Sequence, residues 1–343
     1  NDYWKGKKIT FSLKSNCLTL SLDQGNWTNV FSFDNKGRLW TAMVEGISYR
    51  RGLDGKIIAK WITYTGQRER RWLNSLETDQ LLTQLHDLLN ELLQSITRKD
   101  NQFSELLPNE LLIALGKASR FSPEISEIDV AEFNKVYKPI GILPPDQYMA
   151  LVLQMTEGCS YNACSFCSFY RDRPFRIKSP QELLAHIQSV KQFLGEGVSL
   201  RRTIFLGDAN SLVIPINKLV PLLEIVHSQL SVEKEGGMYA FLDGFSADKK
   251  KPEDYNKLAQ LGMKRIYIGL ESGNSELIKF LKKPGSPRDI LRAVEAIKAG
   301  GISVGIIVLL GAGGHLFCKS HVSDTIKIIN EMCLDMDDLI YFS

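Results

Sequence analysis

The second half of the chain alternates short apolar runs with amphipathic helical patterns, and this alternation constrains the fold more than any other feature. The apolar runs lie at 150–155, 203–206, 238–242, 265–270, 304–310 and 338–342. Helical patterns occupy 180–193, 215–230, 252–261, 287–299 and 321–333. Buried strands separated by helices pair in parallel, with helices covering the sheet. The pattern predicts an α/β fold, either a partial six-stranded barrel or a doubly wound sheet.

The first part of the chain has a different pattern. Strand-like runs at 9–13, 17–22, 29–33 and 56–62 are separated by turn signals, which predicts a small antiparallel sheet. A leucine stripe at helical spacing predicts a helix over 73–96, and a second helix is predicted over 105–117. Prolines mark 123–146 as a linker. We therefore predict a small α+β accessory domain over 1–146, rich in tryptophan, followed by a core domain over 147–343.

Charge and hydropathy narrow the function classes. The chain of 343 residues has 42 Lys and Arg against 39 Asp and Glu, and this small excess argues against a strong sequence-independent nucleic-acid binder. A local basic patch stays compatible with it. The sequence has no apolar run long enough for a membrane span, and its first residues are too charged for an export signal. We expect a cytoplasmic, reducing location, where clustered cysteines indicate metal or redox chemistry.

Three of the six cysteines lie within nine residues, in the segment TEGCSYNACSFCSFY over 156–170. Cys159, Cys164 and Cys167 follow the first predicted strand of the core, at the edge where parallel α/β folds build their sites. Soft thiolates select zinc, copper(I) or iron–sulfur clusters. A structural zinc site would need a fourth ligand, commonly from a second pair. The spacing leaves two alternatives: a two-iron cluster with a distant fourth cysteine, or a four-iron cluster with one open iron.

This segment resembles the cluster motif of the radical S-adenosylmethionine (radical SAM) enzymes. Cys164 and Cys167 match its second half, with Phe166 at the aromatic position, whereas the gap after Cys159 has four residues instead of three. The segment 206–210 lies where that family often has a Gly-Gly-Glu motif, and 268–273 resembles its Gly-x-Glu-Ser-Gly motif. The glycine-rich run 305–314 is similar to the segment that passes the adenine.

The resemblance implies a partial (βα)6 TIM-like barrel and two cofactors. Cys159, Cys164 and Cys167 would hold a [4Fe-4S] cluster, and S-adenosylmethionine would bind its open iron. The implied cofactor-binding residues are Phe166, Gly207, Asp208, Asn210, Glu271, Ser272 and Gly311. Reductive cleavage would give a 5′-deoxyadenosyl radical that takes hydrogen from an unknown substrate.

Such an enzyme implies an external one-electron reductant of the flavodoxin or ferredoxin type, and no membrane partner. Two alternatives stay open. The chain is a non-catalytic iron–sulfur electron-transfer protein, or it is an RNA-modifying radical SAM enzyme that binds substrate with its N-terminal domain. Neither a second cluster nor a cobalamin domain is evident.

Several other polar residues are weaker candidates. The basic segment after the cysteines is interpreted as a solvated loop, and the alternative is that one of its arginines binds a substrate or cofactor carboxylate. His315, His321 and Cys318 are predicted to flank a turn near the site, and Asp243 ends the third strand of the core. The basic segment comprises Arg171, Arg173, Arg176 and Lys178, and a second charged loop comprises Lys249, Lys250 and Lys251.

The five tryptophans all lie in the first 72 residues. Several arginines are interleaved with them. The tryptophans either fill the core of a small β domain or, together with the arginines, form a surface that stacks bases or binds a peptide. The residues are Trp4, Trp27, Trp40, Trp61 and Trp72, with Arg50, Arg51, Arg68, Arg70 and Arg71.

Overall fold

The computed structural model describes residues 2–98, 103, 107–246 and 249–343. The chain forms two compact units. One comprises residues 1–137 with 191–200, and the other comprises 138–190 with 201–343. The predicted division into domains near residue 146 stays a prediction.

Within the described residues, the first unit contains an eight-stranded antiparallel sheet in chain order. Its strands are β1 (Asp2–Trp4), β2 (Lys7–Leu13), β3 (Cys17–Asp23), β4 (Thr28–Asp34), β5 (Leu39–Val44), β6 (Ile47–Arg51), β7 (Ile57–Ile62) and β8 (Arg68–Trp72). Alternate residues such as Leu18, Leu20 and Leu22 of β3 are buried, as the period of two requires. The predicted sheet is present with more strands than the four predicted runs.

The helices of this unit are α1 (Ser75–Thr97), α2 (Asn109–Ser119) and α3 (Pro123–Val136). Helix α1 begins with a capping box, in which Asn74 and Glu77 each accept a hydrogen bond from the backbone amide of the other. Its leucine stripe packs into the core of the sheet. The predicted start of α2 at 105 lies outside the described residues.

The predicted linker over 123–146 is wrong in its first half, because α3 occupies Pro123–Val136. Ser122 caps this helix by accepting a hydrogen bond from the amide of Ile125, and Pro123 takes the first position, where a missing amide proton costs nothing. The prolines that end the segment are compatible with a helix that stops before them.

The second unit contains a six-stranded parallel sheet among its described residues. Its strands are β9 (Ala150–Gln154), β12 (Thr203–Gly207), β13 (Met238–Phe241), β14 (Met263–Glu271), β15 (Ser303–Val308) and β16 (Leu339–Phe342). They pair in chain order, as in a barrel, whereas a doubly wound sheet reverses its order at a switch point. The predicted α/β fold class is confirmed, and the strand order favours the partial barrel.

Helices connect these strands as predicted, with two differences. They are α4 (Pro180–Leu194), α5 (Ile216–Gln229), α6 (Pro252–Gln260), α7 (Ser275–Phe280), α8 (Pro287–Ala299) and α9 (Gly314–Glu331). The short α7 was not predicted. Helix α9 begins at Gly314 and not near residue 321, so His315 and Cys318 lie on its first turns and the predicted loop there is wrong. No described helix is long and apolar enough to cross a membrane.

Aromatic side chains surround Tyr267 of β14 in the second unit. The ring lies 5.9 Å from that of Phe241 and 6.2 Å from that of Phe205. A Cβ on Gly305 of the adjacent β15 would lie 2.4 Å from this ring, so only glycine leaves room for it. The Tyr267 hydroxyl donates to Asp146, which also accepts from Tyr341 at 2.7 Å.

We expect Asp146→Asn to lower the free energy of unfolding by about 1–2 kcal/mol at neutral pH, because charge-assisted hydrogen bonds become neutral ones. Burial opposes ionisation of Asp146, but hydrogen bonds from Tyr267, Tyr341 and Gln147 outweigh it and lower its pKa. A lowered pKa means that this stabilisation is present above the pKa of the unfolded state, near 4, and is lost as the pH falls further.

Urea titrations at pH 7 and pH 3 measure this effect. The difference between wild type and Asp146→Asn should shrink at the lower pH. The matched control is Asp54→Asn, because Asp54 pairs with Lys56 while both side chains are largely exposed. An equal loss in the two variants would contradict the assignment.

Candidate functional site

The cysteine loop begins directly after β9 and is closed at its base by a short hairpin. Strands β10 (Thr156–Glu157) and β11 (Arg176–Ile177) pair antiparallel across it. Glu157 accepts from Arg176 at 2.8 Å and from Lys178 at 2.7 Å. The Arg176 hydrogen bond is the main cause that lowers the pKa of Glu157 to about 2, with Lys178 contributing. These ion pairs therefore fix the two ends of the cysteine loop where it joins the barrel.

Asp208 anchors the start of the same loop. This buried carboxylate follows β12 and accepts from the Gly158 amide at 3.0 Å, from Gln154 at 2.7 Å and from Arg173 at 3.3 Å. Burial raises the pKa of Asp208 although these donors oppose the shift. Asp208 thus joins the ends of β9 and β12 to both flanks of the cysteine loop.

A second polar contact joins the loop to the ends of β12 and β13. Asn210 donates to Asp243 and, at 3.1 Å, to Ser160 of the loop. Asp243 also accepts from the Ser246 amide at 2.7 Å, so it caps a turn as well as holding Asn210. Burial raises the pKa of Asp243. The structure thus brings together two predicted polar residues at this edge of the sheet.

The three cysteines are free, half-buried thiols. Burial raises the pKa of Cys164 to about 11, while the positive charge of Lys283 acts in the opposite direction. Cys159 lies five residues before Cys164 on the same loop, and Cys167 lies three residues after it, where its amide donates to the Cys164 carbonyl at 3.4 Å. Arg171 donates to the carbonyl oxygens of Cys164 at 3.0 Å and Cys167 at 3.1 Å, and so fixes the backbone between them.

The donor set suits an iron–sulfur cluster in its chemistry, because three soft thiol ligands lie on one loop. Among residues 2–98, 103, 107–246 and 249–343, no three His, Cys, Asp or Glu side chains are arranged to hold a metal ion. The fit to a cluster therefore lies in the kind of ligand and in the shared loop, and not in the arrangement of the three side chains. The assignment of these three cysteines as ligands stays a prediction.

Glu271 and Lys283 form an ion pair close to the cysteine loop, where the Ser165 amide donates to the carbonyl of Leu281, two residues before Lys283. Glu271 ends β14 in a left-handed backbone conformation, with φ of 59°, and its carboxylate lies 2.6 Å from the Lys283 ammonium. Lys283 also donates to the Gly269 carbonyl at 2.7 Å. A Cβ on Gly269 would lie 2.1 Å from the Glu271 carboxylate, so glycine is required for this pairing. Sequence reasoning missed Lys283, because it lies after α7 and outside every motif.

Ser272 is fully buried and packs against α9. Its hydroxyl lies 2.8 Å from Nδ1 of His321, and it accepts from the Asn274 amide at 3.0 Å. Asn274 in turn caps α7 and donates to Asp324 of α9 at 2.7 Å. His321 therefore lies inside the protein, where it joins the end of β14 to α9, whereas His315 is exposed.

The remaining predicted residues lie on the same edge of the barrel sheet or on the loop. Gly207 ends β12, and its carbonyl accepts from Thr156 at 3.4 Å. Gly311 follows β15 with a positive φ of 72°, and its carbonyl accepts from the Gly314 amide at the start of α9. Phe166 is 40% exposed on the cysteine loop, so its ring is available for a contact.

The interpretation of the basic segment as a solvated loop is wrong for Arg173 and Lys178. Both side chains are buried, and they pair with Asp208 and Glu157. The charged run at 249–251 is likewise not wholly solvated. Lys250 is buried and donates to the carbonyl oxygens of Leu212 and Ile214, and burial lowers its pKa to about 8.

The radical SAM superfamily profile matches residues 153–315. The heme chaperone HemW of Lactococcus lactis subsp. lactis is 24% identical over 173 residues, which are 48% of this chain and 44% of HemW.

Two solved structures are similar to part of this chain at low identity. The radical S-adenosylmethionine methyltransferase TsrM from Kitasatospora setae is 16% identical, with a TM-score of 0.44, over 61% of this chain and 40% of TsrM. Coproporphyrinogen III oxidase (HemN) from Escherichia coli is 12% identical, with a TM-score of 0.42, over 62% of this chain and 46% of HemN. The chain thus spans less than half the length of these proteins.

The profile match includes the cysteine loop, the ends of β12 and β14, and the glycine-rich end of β15. The family implies a [4Fe-4S] cluster and S-adenosylmethionine as cofactors, and its enzymes need an external reductant and a substrate. Residues 153–315, slightly less than half of the chain, match the radical SAM superfamily model and are a radical SAM domain.

Proposed function

We propose that this chain is a radical SAM enzyme in which Cys159, Cys164 and Cys167 hold a [4Fe-4S] cluster. The observation that carries the proposal is the set of three free thiols on one loop at the carboxyl edge of a parallel sheet, within the matched domain. When bound and reduced, the cluster would supply the electron that cleaves a carbon–sulfur bond of S-adenosylmethionine, giving methionine and a 5′-deoxyadenosyl radical.

The protein's own residues have three tasks in this proposal. Asp208 and Arg171 hold the backbone of the cysteine loop, through the Gly158 amide and the carbonyl oxygens of Cys164 and Cys167. Glu271 offers a carboxylate to an ammonium or hydroxyl group of the cofactor, and Lys283 fixes that carboxylate. Gly311 brings backbone close to a flat base without a side chain between them.

The remaining predicted cofactor contacts belong to the same proposal. Gly207, Asp208 and Asn210 would face the amino end of S-adenosylmethionine, and Phe166 and Ser272 complete the set. His321 holds the hydroxyl of Ser272 in place. We also propose residues 1–146 as an accessory domain and 147–343 as the catalytic core.

The proposal also includes an electron donor and a location for the protein. A flavodoxin or ferredoxin would donate the electron, and the substrate is unknown. A cytoplasmic location suits six free cysteines and an oxygen-sensitive cluster.

Anaerobic reconstitution with iron and sulfide tests the proposal. We expect the wild type to bind about four irons, a number that follows from the cluster type, and to form 5′-deoxyadenosine after reduction with dithionite. Replacing Cys159, Cys164 and Cys167 together by alanine should abolish both results. Replacing Cys318 and Cys333, which are exposed on or after α9, is the matched control and should change neither.

Two outcomes would overturn the proposal. Reconstituted protein that forms no 5′-deoxyadenosine is not a radical SAM enzyme. A two-iron spectrum that S-adenosylmethionine does not perturb would favour the electron-transfer alternative.

A further inference from the structure

The antiparallel sheet of the first unit has an exposed, basic outer face at its β8 end. Pairing fixes which residues share this face: Ser48 lies opposite Lys60, which lies opposite Arg70. The neighbouring row places Arg50, Ile58 and Trp72 side by side. The outward positions of β5–β8 are Thr41, Met43, Ser48, Arg50, Ile58, Lys60, Ile62, Arg68, Arg70 and Trp72. We call these residues the outer face.

The charges of the outer face all have one sign. Arg50, Lys60, Arg68 and Arg70 are exposed, and no outward position of these strands is Asp or Glu. Lys60 and Arg70 lie directly opposite each other, an arrangement that costs free energy in a sheet. Glu69 of the same strand does not lie beside this pair, because it points to the opposite face, where it lies across from Trp61. A bound polyanion would relieve this repulsion.

Exposed apolar side chains lie between these cations. Trp72 is 60% exposed and Ile62 is 66% exposed, and Tyr64 in the turn between β7 and β8 is fully exposed. Trp72 does not fill the core of the β domain, so core packing does not explain the tryptophan at this position. Aromatic rings on an open sheet stack on bases of single-stranded nucleic acid, and adjacent cations bind its phosphates.

We propose that the outer face binds single-stranded nucleic acid, with Trp72 stacking on a base and Lys60, Arg68 and Arg70 contacting phosphates. Charge complementarity together with an exposed aromatic ring favours this occupant over an acidic peptide, which offers no bases, and over a duplex, whose bases are already stacked. The small net charge of the chain is compatible with it, because the cations are concentrated on one face. Binding here does not depend on the cysteine loop, so this proposal and the enzymatic one can fail separately.

Fluorescence anisotropy with labelled oligonucleotides of about 12 nucleotides, a length within the range of single-strand sites, tests the proposal on the full chain. The probes are oligo(U), oligo(dT) and a duplex of the same length. We expect both single strands to bind more tightly than the duplex. A preference for oligo(U) over oligo(dT) would identify RNA as the natural ligand, and the reverse preference would identify DNA.

Two variants connect binding to the outer face. Lys60→Gln with Arg70→Gln should weaken binding at least tenfold and reduce the salt slope by about 1.4, the value for two phosphate contacts on a single strand. Since this double variant removes a repulsive pair, its fold should be as stable as that of the wild type. Trp72→Ala should weaken binding at least fivefold, with an unchanged salt slope.

The matched control is Arg71→Gln. Arg71 lies on the same strand but on the opposite face, where it pairs with Glu77. It should leave the affinity within about twofold of the wild type, because the Arg71 side chain points away from the outer face. Losing its surface ion pair should also have little effect on the stability of the fold. Equal weakening by Arg71→Gln would show unspecific attraction and overturn the proposal. So would tighter binding to polyglutamate or to vesicles with phosphatidylserine than to either single strand.

Discussion

Asp208→Ala is expected to lower the free energy of unfolding by about 3–5 kcal/mol, the range for breaking a buried ion pair from one side. The Asp208 side chain is 2% exposed and that of Arg173 is 8% exposed, so the guanidinium left behind cannot recover its hydration. The Gly158 amide and Gln154 lose an acceptor at the same time. Because Asp208 joins these groups, the loss should spread to the whole cysteine loop.

Chemical denaturation measures the stability change, and limited proteolysis locates it. New cleavage sites should appear between residues 158 and 173 before the rest of the protein is digested. Asp208→Asn should cost less than Asp208→Ala, because asparagine retains hydrogen-bonding groups. It also avoids the buried negative charge whose desolvation raises the pKa of Asp208.

The matched control is Asp172→Ala. Asp172 is the other acidic partner of Arg173, at 2.7 Å, but its side chain is 53% exposed. Exposed pairs contribute at most about 1 kcal/mol. If Asp208→Ala costs no more than Asp172→Ala, the buried carboxylate does not anchor the loop.

The core fold was predictable because its strands are strongly patterned. Each strand of the parallel sheet is a short apolar run between helices, and the predicted ranges overlap all the observed strands. The antiparallel sheet was harder to predict. Strand β8 has the sequence RERRW with every residue exposed, so no alternation of apolar and polar residues marks it. Only its pairing with β7 makes it a strand.

The site was predictable in its cysteines and less so in its ion pairs. Arg173 and Asp208 are 35 residues apart, and nothing in the local sequence indicates that they meet. Lys283 reaches Glu271 only because α7 turns the chain back after β14. In contrast, α3 carried a local signal, a serine cap followed by proline, which the later prolines at 139, 144 and 145 obscured.

The second large effect concerns Asp129 of α3, which lies between two buried arginines. Its carboxylate accepts from Arg38 at 2.6 Å and from Arg51 at 3.2 Å, and all three side chains are less than a tenth exposed. Burial lowers the pKa of Arg51, and the charge of Asp129 opposes this shift. Arg38 has a second acidic partner in Asp34, whereas the hydroxyl of Ser126 is a neutral partner for Arg51.

We therefore expect Asp129→Ala to destabilise the protein by about 3–5 kcal/mol, mainly through the uncompensated charge of Arg51. Urea denaturation measures the change, with Glu132→Ala as the matched control, because Glu132 lies on the same helix and pairs with Lys135 in an exposed position. The control should change stability by less than about 0.5 kcal/mol. Adding Arg51→Met to Asp129→Ala should recover part of the loss, since the second substitution removes the buried charge and fills a similar volume. If the double variant is less stable than Asp129→Ala alone, the packing of Arg51 against Phe121 stabilises this region more than its charge destabilises it.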